Sequence, residues 1–198
     1  MTGKREVDGS KAAPTAQLSS NAHVIFLDID NSLHAADAYV VGDRVVSGSP
    51  AVQLFQFAHI LEAMLEPYPA AVIILSSSWV PALGFEFTVA QLPLDTLRAR
   101  VRGATFEQAD ALNTIWRRLT RGAQILRFVR RHRTHHWLAI DDDRSGFVGY
   151  ESHLVHCQVG VGLGDKDVQQ LFARRLELMF GPPDSLSHTG ASTPERLT

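Results

Sequence analysis

Short, continuous runs of apolar residues alternate along the chain with segments whose apolar residues recur at helical spacing. Short strands are also predicted over residues 101–105 and 154–159, and the continuous apolar runs cover residues 24–27, 70–75 and 137–140. Runs of this kind are typical of strands buried on both faces of a parallel sheet. Amphipathic helices are predicted over residues 122–133 and 166–179. The alternation predicts an α/β fold in which helices cover both faces of a parallel sheet.

The segment after the first strand carries two further structural signals. Residues 38–46 place β-branched runs on either side of Gly42 and Asp43, which predicts a hairpin with a two-residue turn. We expect this hairpin to lie over the end of the strand like a flap. Ser49 and Pro50 suit the N-cap and the first position of a helix, which is predicted to begin there.

The size and composition of the chain fit one domain with disordered ends. Its 198 residues, of which 45% are hydrophobic, are enough for one sizeable core. We expect a disordered leader over residues 1–21, because it lacks apolar periodicity, and a domain over residues 22–180. Residues 181–198 form a Ser/Thr/Pro-rich tail that is also expected to be disordered.

Charge and cysteine content narrow the class of protein. The formal net charge of −2 argues against wholesale binding to nucleic acid or to an anionic membrane. A single cysteine, Cys157, excludes an internal disulfide framework and a multi-cysteine zinc site. No apolar run approaches the roughly 20 residues that cross a bilayer. With no secretory signal pattern at the N-terminus, we expect a cytoplasmic protein without a membrane partner.

Acidic residues follow two of the predicted strands directly. Asp28 and Asp30 come after the first strand, and residues 141–143 are three aspartates after a later one. Ligands of open α/β sheets bind at the carboxyl ends of strands, and clustered carboxylates favour a cation between them, so the pattern indicates a metal site. A calcium loop is excluded, because Leu33 and Tyr39 stand where Gly and Glu are required. Ordinary turn chemistry at Asp28 and Asp30 remains the alternative.

The order of these pieces resembles the motifs of the haloacid dehalogenase-like (HAD) hydrolase superfamily. The first motif, D-x-D-x-T/S after apolar residues, is matched by Asp28, Asp30 and Ser32. The second, a Ser or Thr that ends the next strand, is matched by Ser76 or Ser77, although serines there also serve as helix caps. Ser77 is favoured because it lies two residues before a Trp, where related motifs carry the hydroxyl.

The later motifs also have counterparts. Arg121 precedes a helix and matches the third motif, which more often carries Lys, and Asp141 and Asp142 match the acidic fourth motif. Residues 75–79 and 137–143 look like the small HAD domains of bacterial RNA-repair-type proteins and their stand-alone relatives. The resemblance implies a Rossmann-like HAD core over most of the chain.

The resemblance also implies a Mg²⁺-dependent phosphatase. Asp28 would attack the phosphoryl group to form an aspartyl-phosphate, and Asp30 would protonate the leaving oxygen and later activate water. Mg²⁺ would be held by Asp28, by the backbone carbonyl of Asp30 and by Asp142, with Asp141 in support.

Phosphate binding and backbone geometry follow from the same resemblance. Ser77, or Ser76, together with Arg121 would bind the phosphoryl oxygens. Asn31 stands where many relatives have Gly, and Asn tolerates the left-handed backbone that such a position needs. A non-catalytic HAD-fold module that binds phosphate or a protein is the alternative function.

The spacing of the motifs bears on the substrate. Neither interval beside the second motif has room for a large cap domain, so the predicted site is open and could accept a small nucleotide, a sugar phosphate or the phosphorylated end of a polynucleotide. An arginine-rich stretch near the third motif could steer such a substrate, but a solvated helix face is favoured for it. Its members are Arg117, Arg118, Arg127, Arg130, Arg131 and Arg133.

Overall fold

The predicted α/β fold is confirmed by the computed structural model, which describes residues 11–19, 21–42, 44–111, 113 and 115–182. The strands are β1 His23–Leu27, β2 Ala38–Val41, β3 Arg44–Ser47, β4 Ala71–Leu75, β5 Val101–Ala104, β6 His136–Asp141 and β7 Leu154–His156. The helices are α1 Ala58–Leu65, α2 Trp79–Leu83, α3 Phe85–Gln91, α4 Asp95–Arg100, α5 Gln108–Ala111, α6 Arg121–His132 and α7 Lys166–Phe180. Residues 1–10 of the predicted leader and 183–198 of the predicted tail lie outside the described residues.

Strand β1 lies at the centre of a five-stranded parallel sheet with the order β5-β4-β1-β6-β7. The register pairs the last residue of β1 with the last residue of β4 and with Ile140 of β6. The residues that follow these three are Asp28, Ser76 and Asp141. Since the strands are parallel, the three side chains emerge at one edge of the sheet.

Two apolar cores cover the sheet, because alternate strand residues point to opposite faces. Ile25 and Leu27 of β1 belong to the core that includes residues of α1 and α7, whereas Val24 and Phe26 belong to the core that includes α6. Phe26 packs edge-on against Phe128 of α6, with ring centroids 5.4 Å apart. Helices therefore lie on both faces, as predicted. Across the described ranges, no helix is long and apolar enough to cross a bilayer.

Helix α1 begins at Ala58, so the start predicted at Ser49 and Pro50 is wrong. Between these positions, Phe55 has a left-handed backbone with φ 59°, which an α-helix cannot contain. The N–H of the residue before α1 donates to the carbonyl oxygen of Leu33 at 2.9 Å. The intervening turns therefore attach to the loop after β1, a tertiary contact that local capping signals do not reveal.

Strands β2 and β3 form the predicted antiparallel hairpin, in which Val41 is paired with Arg44. Gly42 has φ +65°, a left-handed conformation that glycine adopts without steric cost. Asp43, the other residue of the predicted turn, lies outside the described residues. The side chains of Tyr39 and Val41 on β2 are exposed.

Residues 11–19 belong to the predicted disordered leader, and for them the prediction is wrong. Ala13 and Ala16 are buried, and the Ala13 N–H donates to the carbonyl oxygen of Phe106 at 2.9 Å. Ala16 lies against Gly103 of β5, where an added Cβ would be 3.1 Å from the Ala16 methyl. Small side chains that fit so closely leave no apolar period in the sequence, which is why the segment resembled a leader.

A buried ion-pair cluster fixes α6 to the chain before it. Asp110 accepts from Arg127 Nε at 2.9 Å and from Arg131 Nη1 at 2.7 Å. Glu107 contacts Arg131 as well, and lies 2.8 Å from His132 Nε2. Buried carboxylates require partners of this kind. Two members of the arginine-rich stretch, Arg127 and Arg131, therefore have a structural role.

The N-terminus of α6 packs directly on the loop after β6. The Gly122 N–H donates to the Ser145 carbonyl at 2.9 Å, and a Cβ added to Gly122 would lie 2.4 Å from the backbone of Gly146. Gly146 has φ +84°, and a Cβ added there would lie 2.2 Å from Thr120 Oγ1. Only glycine allows this approach. The contact fixes the position of Arg121, the first residue of α6, relative to that loop.

Replacement of Gly122 by Ala should lower the free energy of unfolding by roughly 3 kcal/mol or more, because the methyl group would meet rigid backbone rather than a movable side chain. The control is Gly149→Ala, because a Cβ added to Gly149 would meet open space; unlike Gly122, Gly149 has a positive φ, +81°. The control should cost about 1 kcal/mol for its backbone conformation alone. Urea denaturation measures both values, and equal losses would contradict the packing argument.

Candidate active site

Three carboxylates meet at the carboxyl edge of the sheet. Asp28, Asp141 and Asp142 each offer an oxygen, and these oxygens lie within 4.8 Å of one another. The Asp28 N–H donates to the Ile140 carbonyl at 3.0 Å, which holds the end of β1 beside β6. Carboxylate oxygens at this spacing are ligands that suit a hard divalent cation such as Mg²⁺. The donor set therefore fits the predicted ion.

Arg121 is the cation that reaches into this acid cluster. Its Nη2 lies 3.3 Å from Asp28 Oδ1, and its Nε lies 3.1 Å from Asp141 Oδ2. The helix that presents it is capped by Thr120, whose hydroxyl accepts from the Ala123 N–H at 3.4 Å. Burial lowers the pKa of Arg121, but Asp28 and Asp141 raise it, and the net effect is a raised pKa. The guanidinium therefore stays charged and can bridge two acids.

The acids carry more negative charge than Arg121 offsets. Burial raises the pKa of Asp28 from 3.8 to about 7, against the lowering effect of Arg121, and the neighbouring Asp142 and Asp30 add to the rise. Burial and the charge of Asp28 raise the pKa of Asp141 well above its ordinary value, and burial also raises that of Asp142. A buried cluster whose pKa values are shifted by desolvation and like charge is characteristic of functional sites.

The Asp30 side chain lies outside the cluster of three acids. Trp79 Nε1 donates to both of its carboxylate oxygens, at 3.0 and 3.1 Å, and His34 Nε2 lies 3.2 Å from Oδ1. The sequence did not identify His34 and Trp79 as site residues. Their positions in the sequence could have identified them, because His34 follows Asp30 by four residues and Trp79 directly follows the serine run.

The loop after β1 has the backbone that its sequence predicted. Asn31 has φ 54°, so the expectation that it occupies a left-handed position is confirmed. Its side-chain Nδ2 donates to Asp37 Oδ1 at 2.8 Å, and its side-chain Oδ1 accepts from the Gly160 N–H at 2.9 Å. These bonds join the loop to the segment before the hairpin and to the segment after β7, which holds Asp28 and Asp30 in place.

The two candidate serines differ in their surroundings. Ser76 follows β4, and its N–H donates to the Leu27 carbonyl at 2.8 Å, which places it beside Asp28. Its hydroxyl is buried and has no hydrogen-bond partner among the described residues. The Ser77 hydroxyl accepts from the Trp79 N–H at 3.4 Å, a local turn contact just before α2. Both serines stay candidates for phosphate binding.

A cavity of about 320 Å³ opens beside Arg121. Its walls include Ser78, Trp116, Arg117 and Asp143. Arg117 is exposed there and forms no ion pair with another described residue. A charged, partly aromatic cavity next to the acids can receive the group that carries a phosphate.

Replacement of Asp28 by Asn should stabilise the metal-free protein at high pH. Because the folded state raises the pKa from 3.8 to about 7, it binds the proton more tightly, and wild-type stability falls as the pH rises between those values. At about 1.4 kcal/mol per pKa unit, the variant should gain up to about 4 kcal/mol above pH 7 and nothing near pH 4. Urea denaturation in EDTA at both pH values measures the gain, with Asp95→Asn at an exposed position as the control. A gain that does not depend on pH would contradict this account of Asp28.

Comparison with known proteins supports an assignment for the whole domain. The family model described as "HAD domain in Swiss Army Knife RNA repair proteins" matches residues 24–168, a range that includes the acid cluster and Arg121. Searches of curated proteins and of solved structures gave no significant match. HAD domains are generally hydrolytic and typically use Mg²⁺, with which the aspartate cluster is compatible. The chain belongs to the family of HAD domains found in Swiss Army Knife RNA repair proteins.

Proposed function

We propose that the protein is a Mg²⁺-dependent phosphatase that acts through an aspartyl-phosphate. The observation that carries the proposal is the meeting of Asp28 with Asp141, Asp142 and Arg121 at one edge of the sheet. A buried carboxylate in such a setting attacks a phosphoryl group only when nearby cations screen its charge and that of the phosphate. Arg121 supplies one cation and the acid cluster suits another.

In the first step, Asp28 Oδ attacks phosphorus and the bond to the leaving oxygen breaks. Asp30, in its protonated form, donates a proton to that oxygen, which leaves as an alcohol. In the second step Asp30, now ionised, takes a proton from water, and the water oxygen attacks the phosphorus of the aspartyl-phosphate. Inorganic phosphate leaves and the Asp28 carboxylate is restored, so the two carboxyl groups have separate duties.

The remaining residues bind and orient the phosphoryl group. Arg121 and one of Ser76 and Ser77 would donate hydrogen bonds to its oxygens and stabilise the charge that develops. Bound Mg²⁺ would screen the negative charges of phosphate and nucleophile; we assign it to Asp28, Asp142 and the Asp30 backbone carbonyl, with Asp141 in support.

Phosphate release from p-nitrophenyl phosphate should require Mg²⁺ and should fall roughly 1000-fold or more in Asp28→Asn, which removes the nucleophile. Asp30→Asn should lower the turnover rate by about 100-fold or more, because hydrolysis of the aspartyl-phosphate loses its general base. The exposed Asp95→Asn is the control and should keep wild-type activity. Wild-type protein that releases no phosphate with Mg²⁺ would overturn the proposal and favour a non-catalytic phosphate- or protein-binding module.

The natural substrate is proposed to be a phosphorylated nucleotide or the phosphorylated end of a nucleic acid. The cavity beside Arg121 supports this, because the exposed Arg117 on its wall suits a second phosphate next to the acid cluster. The family name supports it too, since it refers to RNA repair.

Arg117→Ala should weaken binding of a 3′- or 5′-phosphorylated oligonucleotide far more than binding of p-nitrophenyl phosphate. If Arg117 contacts one further phosphate, KM for the oligonucleotide should rise about tenfold, and the salt dependence of log KM should lose about 0.7 of slope. Arg118→Ala, a neighbouring exposed arginine outside the cavity wall, is the matched control. Equal effects of the two substitutions, or equal effects on both substrates, would exclude Arg117 as a substrate contact.

A further inference from the structure

Two aromatic residues contact the carboxylate of Asp30, and a third packs against both of them. His34 and Trp79 both touch it, and Phe55 packs edge-on against each of them, with ring centroids 5.7 Å from His34 and 5.5 Å from Trp79. His34 is fully buried, and Trp79 and Phe55 are nearly so. We refer to His34, Phe55 and Trp79 as the aromatic cage. The Asp30 carboxylate, which the cage contacts through His34 and Trp79, is still partly open to solvent, with 20% of its side chain exposed.

The cage donates hydrogen bonds in fixed directions. Trp79 Nε1–H points at both carboxylate oxygens, 3.0 and 3.1 Å away. His34 Nδ1 accepts from the Phe55 N–H at 3.4 Å, which leaves Nε2 to carry the ring proton toward Asp30 Oδ1 at 3.2 Å. Each donor is itself held by packing or by a second bond, so the carboxylate has little rotational freedom.

The backbone of Phe55 supports a specific purpose for this arrangement. Its φ of 59° is a left-handed conformation that a bulky side chain rarely adopts. That conformation accompanies both contacts of Phe55, the N–H bond to His34 and the ring packing on His34 and Trp79. Backbone strain of this kind persists only where the surroundings impose it, and it concentrates at functional sites.

We propose that Trp79 and His34 are positioning residues that aim the Asp30 carboxyl group at the leaving oxygen. This inference rests on the proposed role of Asp30 as general acid. Proton donation matters most when the leaving group is a poor one, such as an alkyl alcohol, and least for a stable phenolate such as p-nitrophenolate. Displacement of the Asp30 carboxyl group should therefore slow the hydrolysis of alkyl phosphates selectively. A general loss of folded protein would slow the hydrolysis of all substrates equally.

The test is the dependence of kcat/KM on leaving-group pKa, measured with a series of aryl and alkyl phosphates. This parameter reports the steps up to formation of the aspartyl-phosphate. Trp79→Phe keeps a ring in the cage and removes the N–H, and it should lower kcat/KM roughly 10- to 100-fold for alkyl phosphates, but less than about threefold for p-nitrophenyl phosphate. Trp137→Phe, at a buried tryptophan on β6 in the opposite core, is the matched control and should leave the dependence unchanged.

A second pair of variants keeps the test decisive if Trp79→Phe does not fold. His34→Leu should steepen the leaving-group dependence, and His34→Gln, which retains an N–H donor, should restore it toward wild type. If Trp79→Phe and His34→Leu are active and their kcat/KM depends on leaving-group pKa with the wild-type slope, the proposed role of the cage is wrong. The proposed phosphatase function would not be affected by that result. Wild-type protein without phosphatase activity would overturn the proposed function, and the cage proposal with it.

Discussion

Charge balance at the carboxyl edge of the sheet is the constraint on which the rest of the site depends. Three aspartates, Asp28, Asp141 and Asp142, share this edge with one guanidinium, that of Arg121. If all three acids ionise, two negative charges remain without a partner in a region where burial already raises their pKa values. A divalent cation would neutralise that excess of two negative charges. The same imbalance makes the metal-free site a cost to folding stability and a reason for cation binding.

The rigid junction between α6 and the loop after β6 makes this balance possible. Gly122 and Gly146 bring the two backbones into contact, so Arg121 arrives at the acids at a set distance rather than at the end of a movable element. The loop is itself ordered by its acids, since Asp141 Oδ1 accepts from the Asp143 N–H at 3.0 Å. Asp141 therefore has a turn-forming oxygen and, in Oδ2, an oxygen that faces Arg121. One side chain therefore both forms the turn and pairs with the guanidinium.

The parts of the fold that the sequence predicted are those whose signals are local. The buried strands followed from continuous apolar runs, the helix that starts at Arg121 from its 3.6-residue period, and the left-handed Asn31 from its residue type. Helices α2 and α3 were missed because five and seven residues are too few for a period to stand out. The packing of Ala13 was not predicted, because isolated alanines produce no hydrophobic periodicity in the sequence. The residues that Ala13 contacts also lie some ninety residues away along the chain.

The candidate site likewise has a part that the sequence predicted and a part that it did not. Asp28, Arg121, Asp141 and Asp142 belong to motifs with fixed order, and the parallel sheet brings them together once the strand order is given. The environment of Asp30 had no such signal. It depends on Trp79 from another strand end and on a strained residue, Phe55, inside a segment predicted as helix.

The different surroundings of Asp28 and Asp30 are the clearest physical argument for two duties at one strand end. The sequence places them two residues apart, where an extended chain would turn both toward one cation. Instead, Asp28 is buried among acids and a guanidinium, whereas Asp30 is partly exposed and held by indole and imidazole donors. A nucleophile needs neighbours that screen charge, and an acid–base group needs access to water and a fixed direction. Environments that differ in this way allow one site to hold a nucleophile and an acid–base group, the division of roles proposed for Asp28 and Asp30.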